Sequence, residues 1–187
     1  MNKKSFKIYY LLLCEGTTEF NLFAYLTRNK FRELFDKSNI KFSDKIQVVE
    51  AGVSQGKLNG AGHIAHFQGK YDAIKKKYTG QKLFFVMDKD LDDSLKMEAV
   101  IVAGGDIVQF LVYSSEHLLL KLGGKNPKNP SDFNNLNDFR EYCKKEFYKQ
   151  FKKDAPKFKD SDFELIFAKV SDEDIRAMFN ELFATLS

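Results

Sequence analysis

Tryptophan is absent from this chain, and cysteine, histidine and proline are scarce: two Cys, three His and three Pro in 187 residues. Two cysteines exclude a disulfide scaffold, and three histidines add no zinc-type ligand cluster. Lone thiols, Cys14 and Cys143, fit a reducing compartment, so a cytoplasmic location is expected. So few glycines and prolines (eleven and three) exclude a collagen-like or low-complexity chain. Long apolar runs are missing too. None approaches the roughly 20 residues of a membrane span, and no membrane partner is expected. Residues 8–14, behind Lys3, Lys4 and Lys7, mimic a lipoprotein signal. The run is short for that purpose, and Leu13 stands where a small residue is needed, so a buried first strand is the expectation.

What the chain does have is aromatic bulk and charge. Its 19 Phe and 8 Tyr are far too much apolar material for a disordered tail. The length suits one domain with an appendage and a sizeable core. A net charge of +4 admits an acidic partner such as nucleic acid without requiring one.

The pattern along the chain predicts alternating strands and helices. Residues 6–14 read as a strand buried on both faces. Thr17 or Thr18 is expected to cap a helix reaching residue 36, with Phe20, Phe23, Leu26, Leu34 and Phe35 on its apolar side. A short strand is expected over 45–51, a glycine-rich loop over 52–62 and a helix over 63–78 with a basic end. Residues 83–87 and 106–113 read as further strands. The pattern of residues 94–105 leaves the assignment open, a helical start with an extended end being one reading. Ser114 or Ser115 caps a helix that ends at Gly123 and Gly124. This βα alternation implies a parallel sheet with crossover helices. Beyond it, 132–152 is an amphipathic helix, 163–170 a late strand, and Ser171 opens a last helix through a capping box.

In open α/β sheets, ligands bind outside the carboxyl ends of the strands. Glu15 and Glu19 follow the first strand. Asp88, Asp90, Asp92 and Asp93 follow the strand at 83–87, and Glu116 follows the one at 106–113. Acids gathered at one sheet edge repel one another, and a hard divalent cation relieves that repulsion. In isolation each piece also reads as a first-turn acid, a helix cap or a solvated loop; their joint occurrence at successive strand ends is the signal.

Leu12-Leu13-Cys14-Glu15-Gly16-Thr17-Thr18-Glu19, followed by Phe84-Phe85-Val86-Met87-Asp88-Lys89-Asp90, resembles the Toprim domain. Its Glu-Gly-x-Thr-Glu form is similar to that of OLD-type nucleases and small RloB-like proteins found near bacterial restriction systems. Ser115-Glu116-His117-Leu118 is similar to a third motif of that group. The resemblance spans about residues 6–122. It implies that Asp88 and Asp90 hold Mg²⁺, with Mn²⁺ able to substitute, and that Glu19 or Glu116 assists. It also implies that Glu15 is a metal ligand or a general acid/base.

The basic segment 144–159 holds seven lysines against Glu146 and Asp154, with Phe147, Tyr148, Phe151 and Phe158 interleaved. Such a segment grips a phosphate backbone or forms a solvated helix face. Lys57, Lys89, Lys149, Lys152 and Lys153 are the candidate nucleic-acid contacts.

The sequence therefore leads to these expectations. Residues 1–124 form a Toprim-like domain, an α/β parallel sheet flanked by helices. Residues 125–187 form a mostly helical C-terminal extension packed on it. The function is Mg²⁺-dependent phosphodiester cleavage in DNA or RNA, in the setting of phage defence. Catalysis is assigned to Glu15, Glu19, Asp88 and Asp90; the same four residues and Glu116 are the metal candidates. The alternative is a non-catalytic Toprim module, a nucleic-acid-binding or partner-dependent regulatory or toxin subunit. Nucleic acid is the expected partner, with an ATPase protein and a second copy of the chain as further partner classes.

Overall fold

The computed structural model describes residues 7–43, 47–48, 50–51, 56–57, 64–89 and 94–186. The expectations for Asp90, Asp92, Asp93, the side chain of Lys57 and most of the glycine-rich loop fall outside the described residues.

Two apolar blocks form the centre of the sheet. Strand β1 is Ile8–Cys14. Helix α1, Thr17–Tyr25, continues through a π-helical turn, Leu26–Lys30, into α2, Arg32–Lys37. Next come the short strands β2 (Ile40–Phe42), β3 (Gln47–Val48), β4 (Glu50–Ala51) and β5 (Gly56–Lys57), then α3 (Ile64–Lys77). Strand β6 is Lys82–Asp88, followed by α4 (Ser94–Ala103), β7 (Ile107–Leu111) and α5 (Ser115–Leu122). The C-terminal region carries α6 (Leu136–Phe151), α7 (Asp160–Phe167), α8 (Asp172–Met178) and α9 (Asn180–Ala184).

The main sheet has the order β2-β1-β6-β7, and every pair in it is parallel. β3 pairs in parallel with Leu13 and Cys14, following β2 along the same side of β1. β4 and β5 form a separate antiparallel pair. From β1 the chain goes first to one side, to β2, and later returns to the other, to β6. The strand order therefore reverses at β1/β6. In an open α/β sheet this is the point where adjacent crossovers leave a crevice.

Side-chain alternation explains why these strands read as unbroken apolar runs. Leu83, Phe85 and Met87 of β6 face Phe67, Tyr71, Met97 and Ile101 from α3 and α4. Phe84 and Val86 face the opposite layer, where Leu22, Phe23 and Leu26 meet Phe163, Phe167, Phe179 and Leu182. The chain is thus an α/β protein with helices on both faces of a parallel sheet. The region after residue 124 shares the second of these cores: Phe23 packs on both Phe84 and Phe179, each at 5.8 Å between ring centroids.

Several local expectations change. The first helix does not run unbroken to residue 36; Phe31 N–H bonds to Leu26 O (2.9 Å), an i→i+5 closure that widens it. Its N-cap is Gly16, not a threonine. The expected strand at 45–51 is divided between β3 and β4, and β2 was not anticipated. Residues 94–103 are helical. The late strand at 163–170 is instead α7: Phe163, Ile166 and Phe167 are buried while Leu165 is 73% exposed, a 3.6-residue period and not a two-residue one. Asp162 also accepts the Lys159 N–H (2.8 Å), as an acid in a helical first turn does. The Ser114 cap on α5 and the Ser171 cap on α8 are present as expected. Among the described residues no helix is long and apolar enough to cross a membrane.

Candidate functional site

β1 and β6 are parallel neighbours, so Glu15 and Asp88 emerge side by side at the reversal point. Glu15 Oε2 accepts the backbone N–H of Asp88 at 2.7 Å. Asp88 Oδ1 in turn accepts the backbone N–H of Ser115 at 3.0 Å, at the start of α5. Two carboxylates thereby tie the ends of β1, β6 and α5 together. A negative charge near the first turn of α5 is favoured by the unpaired N–H groups there. The Ser115 hydroxyl lies 3.4 Å from Glu116 Oε2 and also hydrogen-bonds Glu19.

Glu19 is 5% exposed, an unusual position for a carboxylate. It is the third residue after the Gly16 cap, so its side chain folds back over the first turn and accepts the Gly16 N–H. Glycine at 16 leaves room for this: a Cβ there would stand 2.9 Å from Glu19 Oε2. Burial pushes the Glu19 carboxyl above its usual range. Its bonds to Ser115, its own amide and Gly16 oppose that shift, and the nearby Glu116 adds to it. The sign of the consequence is fixed. Between the unfolded-state value near 4.5 and the raised folded-state value, the unfolded chain ionises first, so stability falls as pH rises through that window. In chelating buffer, Glu19→Gln is expected to raise the melting temperature at pH 7 and to leave it nearly unchanged at pH 4. Equal shifts at both pH values in thermal melts would contradict a buried ionised carboxylate.

These residues line one open cleft of about 410 Å³. Glu15, Glu19, Asp88 and Glu116 form one wall with the Gly16–Thr18 turn. The other wall is α6, through Asn137, Arg140, Glu141 and Lys144. The structure thus brings together four of the five metal candidates; the fifth, Asp90, is outside the described residues. Among the described residues no three acidic, imidazole or thiol groups converge on one point as a ready-made metal cage. The donor set still fits Mg²⁺ in kind, because that ion takes one or two carboxylates and fills its remaining positions with water and phosphate oxygens.

The candidate lysines lie elsewhere. Lys89 sits over the Phe110 ring at 5.9 Å and lines a separate cavity along β7. Lys149 pairs with Glu146 (2.9 Å), and Lys153 bridges both oxygens of Asp162 (2.7 and 2.8 Å). Lys152 ends α6 in a left-handed conformation. None of these four lines the carboxylate cleft. Sequence reasoning placed Ser115 beside Glu116 at the strand end but gave it only a capping role, missed Arg140 as a cleft residue, and grouped Lys144 with lysines that lie outside the cleft. The available signal was the 137, 140, 141, 144 spacing, which puts those four side chains on one face of α6. His117, beside Glu116, is fully buried against the Tyr113 and Phe139 rings. Comparison with protein-family models, curated proteins and solved structures returns no match to the chain.

Proposed function

We propose that this chain is a divalent-metal-dependent nuclease of Toprim type that hydrolyses phosphodiester bonds in DNA or RNA. The observation that carries the reading is the convergence of Glu15, Asp88 and Glu116 from three strand ends, with buried Glu19, on a cleft at the reversal point of a parallel sheet. Glu15 and Asp88, with Glu19 or Glu116, would hold Mg²⁺. When bound, the ion supplies charge neutralisation at the phosphate and a water of lowered pKa. The chain's own part is preorganisation. Backbone N–H groups fix one oxygen each of Glu15 and Asp88, and the Ser115 hydroxyl orients Glu19 and Glu116. Glu15, which lines the cleft, is the residue assigned to hold or move a proton. Buried thiols at Cys14 and Cys143 suit a reducing cytoplasm. An ATPase partner and a role in phage defence belong to this reading through the sequence resemblance alone.

The alternative reading is a non-catalytic module that binds nucleic acid. Incubating the full chain with labelled single- and double-stranded DNA and RNA, with Mg²⁺, Mn²⁺ or chelator, separates the two. Cleavage that chelator abolishes supports the nuclease. Binding without cleavage under any metal supports the binding module. Neither binding nor cleavage overturns both.

A further inference from the structure

The wall of the cleft opposite the carboxylates is a single stripe of α6. Asn137, Arg140, Glu141 and Lys144 recur at three- and four-residue steps, while Phe139, Cys143 and Phe147 form the buried side of the same helix. One turn beyond Lys144 on that stripe stands Tyr148, which is 54% exposed. A large aromatic left in water beside a basic wall is the combination that tracks a single strand: cations for the phosphates, a ring for an unstacked base. Three other cations of the segment are engaged more closely than Lys144. Lys149, Lys153 and Lys157 make ion pairs of 2.9, 2.7 and 2.7 Å, whereas the Lys144–Glu141 pair is long (3.7 Å) and both partners are 62% exposed.

We propose that Arg140, Lys144 and Tyr148 form a substrate track for single-stranded nucleic acid, with Arg140 and Lys144 on consecutive phosphates and a base stacked on Tyr148. The assignment rests on the nuclease reading in that the track leads into the same cleft. A duplex keeps its bases stacked inside, so Tyr148 has nothing to offer it. The C-terminal region then serves a purpose beyond packing: α6 supplies the positive wall that the sheet edge lacks.

The test is fluorescence anisotropy of the full chain with labelled single-stranded DNA, single-stranded RNA and duplex DNA, in chelator so that nothing is cut. Arg140→Gln/Lys144→Gln should flatten the slope of log affinity against log salt for single strands by about 1.4 units, at about 0.7 per phosphate contact. Tyr148→Ala should weaken single-strand binding by about tenfold or more and leave duplex binding unchanged, while Tyr148→Phe restores it. All three side chains are exposed or half-buried, and circular dichroism checks that the variants fold. Comparing the DNA and RNA arms decides which sugar the track accepts. An unchanged salt slope, a Tyr148→Ala loss that is equal for duplex, or a wild type that binds no single strand overturns the track. If the variants bind normally while wild type cuts, the nuclease reading stands without the track. If wild type binds through the stripe yet never cuts, the track stands and the nuclease reading falls.

Discussion

Glu15→Gln is expected to reduce Mg²⁺-dependent cleavage by at least about a hundredfold while leaving thermal melting nearly unchanged, since losing a general acid/base typically costs about 10²–10⁴ in rate. The geometry makes the substitution clean. Glu15 Oε2 accepts the Asp88 N–H at 2.7 Å, and the glutamine carbonyl oxygen can accept the same bond. Only the charge and the basicity disappear. Asp88→Asn makes the same separation at the next link, because its carbonyl oxygen can still accept the Ser115 N–H. The alanine variants differ. Glu15→Ala leaves the Asp88 N–H without its partner, which costs about 1–3 kcal/mol where the group is shielded from water. Activity lost in Glu15→Gln and Glu15→Ala alike, with stability lost only in the latter, identifies a chemical role. Full cleavage by Glu15→Gln would remove Glu15 from the chemistry and leave it as a tie between strands.

The acidic side of the cleft was legible in the sequence because a parallel sheet makes it so. Once β1, β6 and β7 are read as parallel, their carboxyl ends share one edge, and whatever follows each strand is brought there. Glu15, Asp88 and Glu116 need no further information. The basic side was not legible in the same way. Charge density along 144–159 draws the eye to Lys149, Lys152 and Lys153, yet density does not reveal partners, and two of these three are held by Glu146 and Asp162. Which polar stripe of α6 meets the cleft depends on how α6 docks, and that is fixed by Phe147 seating in the core assembled from distant segments and by Phe139 packing on Tyr113 and His117.

The same division runs through the fold. β1 and β6 were readable because a strand covered on both faces is apolar at every position. β2 was not, since Ile40-Lys41-Phe42 is too short to show a period. The segment at 163–170 misled because a brief apolar run suits a strand or a buried helix equally. The deciding detail lies just upstream: Asp162, in the first turn, bonds Lys153 and the Lys159 N–H, committing the backbone to a helix before Phe163 is reached.

Asp106→Ala is expected to destabilise the protein by about 1–3 kcal/mol, the cost of leaving a buried donor without its partner. Asp106 is 5% exposed and gathers three donors from two elements, α3 and β6: the Tyr71 hydroxyl at 2.6 Å, Lys75 Nζ at 2.8 Å and the Leu83 N–H at 3.1 Å. Truncation strands the Leu83 N–H at the start of β6 and leaves the Tyr71 hydroxyl only its long bond to the Ile101 carbonyl (3.4 Å). Gly104 adjoins the same hydroxyl so closely that a Cβ there would lie 1.8 Å from Tyr71 Oη, so any side chain at 104 would push Tyr71 out of this network. This network sits at the amino ends of β6 and β7, the opposite edge of the sheet from Glu15 and Asp88. Denaturant unfolding of Asp106→Ala should therefore show the large loss, while cleavage per folded molecule at low temperature stays near that of wild type. Asp106→Asn should recover part of the stability, because its oxygen can accept the Leu83 N–H but carries no charge for Lys75. A loss below about 1 kcal/mol in Asp106→Ala would mean that the network is solvated and holds nothing in place.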